Sequence, residues 1–167
     1  MKIKHHLSDT LLDLPAHRLH EQLTGPSLFL LPGLASRPLF VSILLHGNEY
    51  TGWEVIRRLL KKQQSLLPRP LALFIGNVEA ARHRARRLDQ QPDFNRCWPG
   101  AACDNEITQL FQEVYDWAAQ QDLLASIDIH NNTGNNPLYS IINRSDAATC
   151  QLARDFAPTT VFTRYPR

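Results

Sequence analysis

The chain lacks a long apolar run, a paired-cysteine pattern and a strong charge of either sign. Its opening, Met1-Lys2-Ile3-Lys4-His5-His6-Leu7-Ser8, has no continuous apolar region, which argues against a signal peptide and a membrane span. The three cysteines, Cys97, Cys103 and Cys150, are odd in number and show no Cys-x-x-Cys spacing. That pattern fits free thiols in a reducing compartment and predicts a cytoplasmic location, with Cys97 a small buried filler. Lys+Arg 18 against Asp+Glu 16 leaves a net charge of only +2. Neither an internal repeat nor a low-complexity segment is present. The one basic cluster, Arg82, His83, Arg84, Arg86 and Arg87, has no interleaved aromatics. It reads as a solvated, partly ion-paired loop, not as a phosphate-binding patch, and no nucleic-acid partner is expected. His83 and the pair His5-His6 are expected at the surface and not as ligands. The remaining composition, 43% apolar and 20% charged over 167 residues, is that of one globular domain spanning residues 1–167 with one sizeable core.

What is present concentrates at two histidines. The apolar run Leu39 to Leu45 leads directly into His46-Gly47-Asn48-Glu49, and the helical pattern Trp53 to Leu60 follows. His46 and Glu49 therefore belong to a strand-to-helix turn at the carboxyl end of a strand, where open α/β sheets place their sites. A neutral imidazole and a carboxylate are two of the ligand types zinc accepts, and a catalytic zinc typically takes three protein ligands. The run Leu124 to Ile129 ends at His130 and is followed by the turn-rich Asn131 to Pro137, so His130 occupies the same kind of position. Asp128 shares a strand face with it at period two. Either Asp128 or a nearby backbone carbonyl is expected to hold the imidazole in one tautomer. A bare His-x-x-Glu is a weak signal; two strand-end histidines around it strengthen the case for a metal.

Elsewhere the pattern alternates. Strands are predicted at Ser27–Leu31, Phe40–Leu45, Leu71–Ile75, Ala125–His130, Leu138–Ile142 and Thr159–Thr163. Helices are predicted from about Gly52 to Gln64, from Asp104-Asn105-Glu106 onward, and over Ala147–Phe156. In the second helix Ile107, Leu110, Phe111, Val114 and Trp117 recur at three- and four-residue spacing, a stripe read as core. The fold class is α/β.

His46-Gly47-Asn48-Glu49, Asp93-Phe94-Asn95-Arg96 and Asp128-Ile129-His130 follow one another in the order and context seen in the zinc carboxypeptidase superfamily. The chain most resembles its succinylglutamate desuccinylase and aspartoacylase branch, well from Phe40 to Tyr139 and hardly over the first 25 or so residues. The resemblance implies a three-layer αβα arrangement around a mostly parallel or mixed sheet. It implies one zinc per chain held by His46, Glu49 and His130, with Asn95 and Arg96 holding a substrate carboxylate. An arginine fork beside an amide donor suits that task chemically. It also implies an arginine that polarises the scissile carbonyl, Arg87 first and Arg86 second. This chain has Leu88 where the branch usually has an aromatic after that arginine.

The function implied is hydrolysis of an amide bond next to a free carboxylate. The substrate is either the C-terminal residue of a peptide or an N-acyl amino acid, with no membrane partner. In the family the general base is a glutamate on a strand well beyond the third ligand. Here no glutamate follows Glu113, and only Asp146 and Asp155 are acidic after His130. The expectation is a metal-binding portion of a longer protein, catalytically weak on its own. The alternative is a binding module that holds a metal or carboxylate without turnover.

Overall fold

The computed structural model describes residues 2–63, 66–100, 105–132 and 134–164. Gln64, Asp104, Cys103, Thr133 and Tyr165 to Arg167, which enter the expectations above, lie outside the described residues. The chain divides into two compact units, Met1–Asn131 and Asn132–Arg167.

The first unit is built on a four-stranded sheet of β1 (Ser27–Leu31), β2 (Leu39–Ile43), β3 (Leu71–Ile75) and β4 (Ala125–Ile129), in the order β1-β3-β2-β4. β2 runs parallel to both β3 and β4, and β1 is antiparallel to β3. The sheet is therefore mixed and mostly parallel. Successive side chains on a strand point to opposite faces, and the core divides accordingly. Phe29, Leu31, Val41, Ile43, Leu71, Leu73 and Ile75 join one apolar cluster. Leu28, Phe40, Ala72 and Phe74 join another on the opposite face. Burial on both faces is why β3 reads Leu-Ala-Leu-Phe-Ile with no polar residue.

Helices cover both faces, giving an αβα arrangement. α1 (Asp9–Asp13), α2 (Thr51–Lys62) and α3 (Val78–Arg82) contribute Leu11, Leu12, Trp53, Ile56, Val78 and Ala81 to the first cluster. α4 (Glu106–Ala119) contributes Phe111 and Val114 to the second, packed edge-to-face against Phe74, Phe94 and Trp98. Asn105 caps α4 reciprocally with Thr108, satisfying two donors that the first turn leaves open. The first 26 residues, little of which the sequence organised in advance, are tied in by apolar anchors. Ser8 caps α1, a 3-10 turn covers Ala16–Glu21, and the Trp53 indole donates to the Leu14 carbonyl at 2.9 Å. Leu7, Leu19 and Leu23 are buried in the same cluster.

The second unit pairs β5 (Tyr139–Ile142) with β6 (Thr159–Phe162) in parallel, connected by α5 (Ala147–Phe156). Asp146 caps α5. Its buried apolar residues are Ala153 and Ala157, and every residue of β6 is exposed. Among the described residues no helix is long and apolar enough to cross a membrane.

Several strand ends differ from the sequence expectation by one residue, at Leu39, Tyr139 and Phe162, and two others bear on the site. The strand expected to continue to Leu45 stops at Ile43, because Leu44 takes a left-handed conformation, φ 54°, incompatible with a strand. The strand expected to reach His130 stops at Ile129, leaving His130 on the loop that follows.

Candidate metal centre

The turn at Leu44 is what aims His46. After the left-handed residue, Leu44 packs in one core cluster and Leu45 in the other. The Leu44 carbonyl accepts from the Asn77 amide at 2.6 Å. His46 is thereby carried to the carboxyl edge of the sheet, only 2% exposed. Gly47 follows at a place where the chain touches α3. A Cβ there would overlap the backbone of Ala80 and Ala81 and lie 2.7 Å from the Ala85 oxygen, so only glycine fits. The Gly47 amide donates to the Arg86 carbonyl at 3.1 Å, and the Glu49 amide to the His46 carbonyl at 3.0 Å. This closes a tight turn that brings Glu49 back onto His46.

Glu49 is the centre of the site. Its Oε1 lies 2.8 Å from Nδ1 of His46, and its Oε2 lies 2.8 Å from Nδ1 of His130. The Asn131 amide also donates to Oε2, at 3.1 Å. Both histidines thus turn the same nitrogen inward, and their ring centroids stand 5.2 Å apart. The far nitrogens are each met by a carboxylate: Nε2 of His46 by Asp93 Oδ1 at 2.9 Å, and Nε2 of His130 by Asp128 Oδ2 at 2.7 Å. Asp128 is in turn held by the Ser42 hydroxyl at 2.8 Å, its partner across the β2–β4 pairing.

One ligand atom from each of His46, Glu49 and His130 lies within 4.8 Å of the others. Two imidazoles and a carboxylate converging, with an acidic partner behind each ring, form the donor set and supporting shell of a divalent-metal site. The three side chains could hold one metal ion.

The charges in the cluster are strongly coupled. Burial pushes the Glu49 carboxyl upward, but hydrogen bonds from His130 and His46 outweigh it and hold the group at about 2. Burial pulls His130 down, yet the bonds to Asp128 and Glu49 outweigh it and lift the ring to about 9. Asp93 is lowered, its burial overcome by the bonds to His46, the Asn95 amide and Arg86. Without a metal the His130 ring is held as an imidazolium between two carboxylates, and a cation taking its inward nitrogen would displace that proton.

The other expected residues divide into those brought to this cluster and those that are not. Arg86, second of the two candidates, reaches Glu49 Oε1 at 3.4 Å and Asp93 Oδ2 at 3.2 Å. Arg87, the first, turns away and donates to the Gln91 carbonyl at 3.0 Å. The two differ in what holds them: the Arg86 carbonyl is tied to the Gly47 amide, which sets Arg86 beside the turn that carries Glu49. Asn95 and Arg96 form a 3-10 turn with Phe94, whose burial anchors it beneath α4. Asn95 is half-buried, and Arg96 is exposed with its guanidinium on the Asn95 carbonyl at 3.1 Å. Asp128 stands behind His130 in the position its period-two spacing suggested.

Asp93 was not assigned a role from sequence. Its signal was the acidic residue opening Asp93-Phe94-Asn95-Arg96, which caps that turn through the Asn95 amide at 3.0 Å and still has Oδ1 within reach of His46. Cys97 is buried, its thiol donating to the Asp93 carbonyl at 3.3 Å. His5, His6 and His83 are exposed. In the basic cluster, Arg82 and His83 both lean on Glu79.

Comparison with known proteins gives one result. No curated protein matches the chain, and no solved structure does. The model of the succinylglutamate desuccinylase/aspartoacylase catalytic domain matches residues 37–166, the stretch that carries β2, β3 and β4, the turn from His46 to Glu49, Asp93 and His130. The chain belongs to the succinylglutamate desuccinylase/aspartoacylase family, whose catalytic domain is zinc carboxypeptidase-like.

Proposed function

We propose that this chain binds one zinc ion through His46, Glu49 and His130 and hydrolyses the amide bond of an N-acyl amino acid. The observation that carries the reading is the Glu49 carboxylate lying between two inward Nδ1 atoms, with Asp93 and Asp128 behind the rings. The family's own description, which names desuccinylase and aspartoacylase, favours an N-acyl amino acid over the C-terminus of a peptide. Zinc in such a site supplies Lewis acidity toward a carbonyl oxygen and activates water at neutral pH.

The chain's own residues do the positioning. Asp93 and Asp128, each facing an Nε2, would hold the proton on that outer nitrogen once a cation takes the inward Nδ1. Arg86 already borders Glu49 and Asp93, and half of its side chain is open to solvent. It is therefore the arginine able to meet negative charge developing on a carbonyl oxygen, ahead of Arg87. Asn95 and Arg96 offer an amide and a guanidinium fork for the substrate carboxylate, which would orient the scissile bond. The acting domain on this reading runs through the whole chain.

A second reading, binding without turnover, is favoured by the acidic residues after His130. Asp146 is engaged as the α5 cap with the Thr149 amide and hydroxyl, and Asp155 accepts from Gln151. Neither is poised as a general base within its own unit.

Metal content and amino-acid release, measured on the zinc-loaded chain, test both readings. His46→Ala and His130→Ala should each abolish stoichiometric zinc; full retention in both would remove the site. Arg96→Ala should weaken carboxylate binding about ten- to hundredfold, the loss of a charge-assisted bond, with zinc unchanged. Release of amino acid from an N-acyl substrate supports hydrolysis, and binding without release supports the second reading.

A further inference from the structure

On the first unit, the turn that presents His46 and Glu49 inward presents its other residues to a separate cavity. Gly47, Asn48 and Tyr50 line a space of about 380 Å³, closed by the 3-10 turn at Pro15 to His17 and by the end of α3 at Ala81 and Arg84. A volume of this size is that of a small-molecule pocket. None of its lining residues is a member of the His46–Glu49–His130 cluster. Part of its wall, Pro15 to His17, lies before residue 37, where the family match begins.

Its chemistry is that of a donor set awaiting an acceptor. Among the described residues, the side chains of Asn48, Tyr50 and Arg84 make no hydrogen bond or ion pair within the chain. Arg86 and Arg87 beside them do. The one acid on the wall, Glu54, is matched by Arg57 at 2.7 Å. Arg84 is also held in an unusual backbone state. It follows α3 with φ 52°, and the Ala85 amide returns to the Ala80 carbonyl at 3.0 Å. This is the helix-ending turn in which glycine is the preferred residue, because a side chain there is strained. The backbone favours glycine, yet the position carries a guanidinium, and Arg84 is part of the cavity wall. Pro15, Ala16 and Ala81 give the wall an apolar part, beside His17.

We infer that this cavity is a second ligand site, taking a small organic carboxylate with a short aliphatic tail: the carboxylate on Arg84, Tyr50 and Asn48, the tail against Pro15 and Ala81. Because Asn48 and Tyr50 flank Glu49 in one tight turn, occupancy is read directly on the backbone that sets the metal ligand.

The test is a titration of the zinc-loaded full chain with butyrate, with inorganic phosphate as the comparison, followed by the amide NMR signals of Asn48, Tyr50 and Ala81. The expected result is saturable shifts at these amides with butyrate, weaker shifts with phosphate, which cannot use the apolar wall, and none at Asn95 or Arg96. Arg84→Gly keeps the turn in its preferred residue and removes only the guanidinium, so it should weaken butyrate about ten- to hundredfold and leave zinc content unchanged. Failure to saturate, equal affinity in Arg84→Gly, or phosphate binding as tightly as butyrate would overturn the inference. So would loss of binding in Arg96→Ala with retention in Arg84→Gly, since the carboxylate would then sit at the proposed substrate clamp. Zinc content and turnover are separate readouts, so the proposed function can fail while this site stands, and the reverse.

Discussion

The two units use the same alternation of strand and helix with opposite outcomes for burial. In the first unit β3 is buried at every position, because two apolar clusters close on it from both sides. In the second, β6 is exposed at every position, and Leu138, Ile141, Phe156, Val161 and Phe162 all show large apolar surface. A two-stranded sheet is marginal in water without further cover, whereas the four-stranded sheet has a helix layer on each face. The comparison shows where precision can be built. A ligand turn needs a backbone that cannot give, and only the first unit offers the packing around Leu44, Gly47 and Asn77 that provides it.

The strongest way to break the contrast is at its glycines. Gly47→Ala forces a Cβ into the α3 backbone and should cost several kcal/mol, on the order of 3 or more, with loss of metal. Gly134→Ala, in the second unit, has only the Asn136 amide at 3.6 Å and a φ of +96° to contend with, and should cost about 1–2 kcal/mol. Thermal unfolding of the two variants compares them directly. If Gly47→Ala melted like the wild type, the ligand turn would not be held as described.

Core truncation sharpens the same difference. Phe74→Ala removes a fully buried ring between two others and should destabilise by about 3–5 kcal/mol. Phe162→Ala, half exposed on β6, should stay within about 0.5 kcal/mol. Urea midpoints would show it, and equal losses would contradict the burial contrast.

Titration separates the units in another way. Glu49 is held low, at about 2, so its contribution to metal-free stability is present above its ordinary value of 4.5 and fades as pH falls toward 2. His130 is lifted to about 9, so its contribution is full below 6.5 and is lost as pH rises through 9. Metal-free protein should therefore be most stable between roughly pH 4.5 and 6.5. Zinc, which needs the inward nitrogens deprotonated, should bind more tightly as pH rises toward 9. Melting curves across pH, with and without zinc, check both signs; a metal-free stability that climbs from pH 6.5 to 9 would contradict the network.

The smallest effect belongs to the cap of α5. Asp146→Ala removes an acceptor for the Thr149 amide and should cost about 1 kcal/mol, visible as faster amide exchange confined to the first turn of α5.

Much of this protein was legible in its residues. β1, β3 and α5 fall at the bounds that the sequence pattern assigned, because a short apolar run bounded by proline or glycine and a helical spacing are local signals. That His46, Glu49 and His130 come together was legible as well, since a strand-end turn requires few residues and leaves a short motif. Asp128 followed from its period-two spacing alone. Less legible was whatever depended on two distant segments meeting. Arg86 and Arg87 are adjacent and chemically equal; the Gly47 amide bonding to the Arg86 carbonyl decides which one reaches Glu49. Asp93 has no role of its own in the sequence pattern until the fold brings His46 within 2.9 Å of it. The end of β2 was misjudged by two residues because Leu44 has every propensity of a strand residue. Its left-handed turn goes with the Asn77 amide on its carbonyl and keeps Leu44 in the same cluster as Ile43, where a continuing strand would send it to the other face. Local patterns thus determined most of the elements and the residue types of the candidate metal cluster. The tertiary structure decided the orientation of the arginine, the partner behind His46 and the turn that aims it, because each depends on a contact between segments that are distant in sequence.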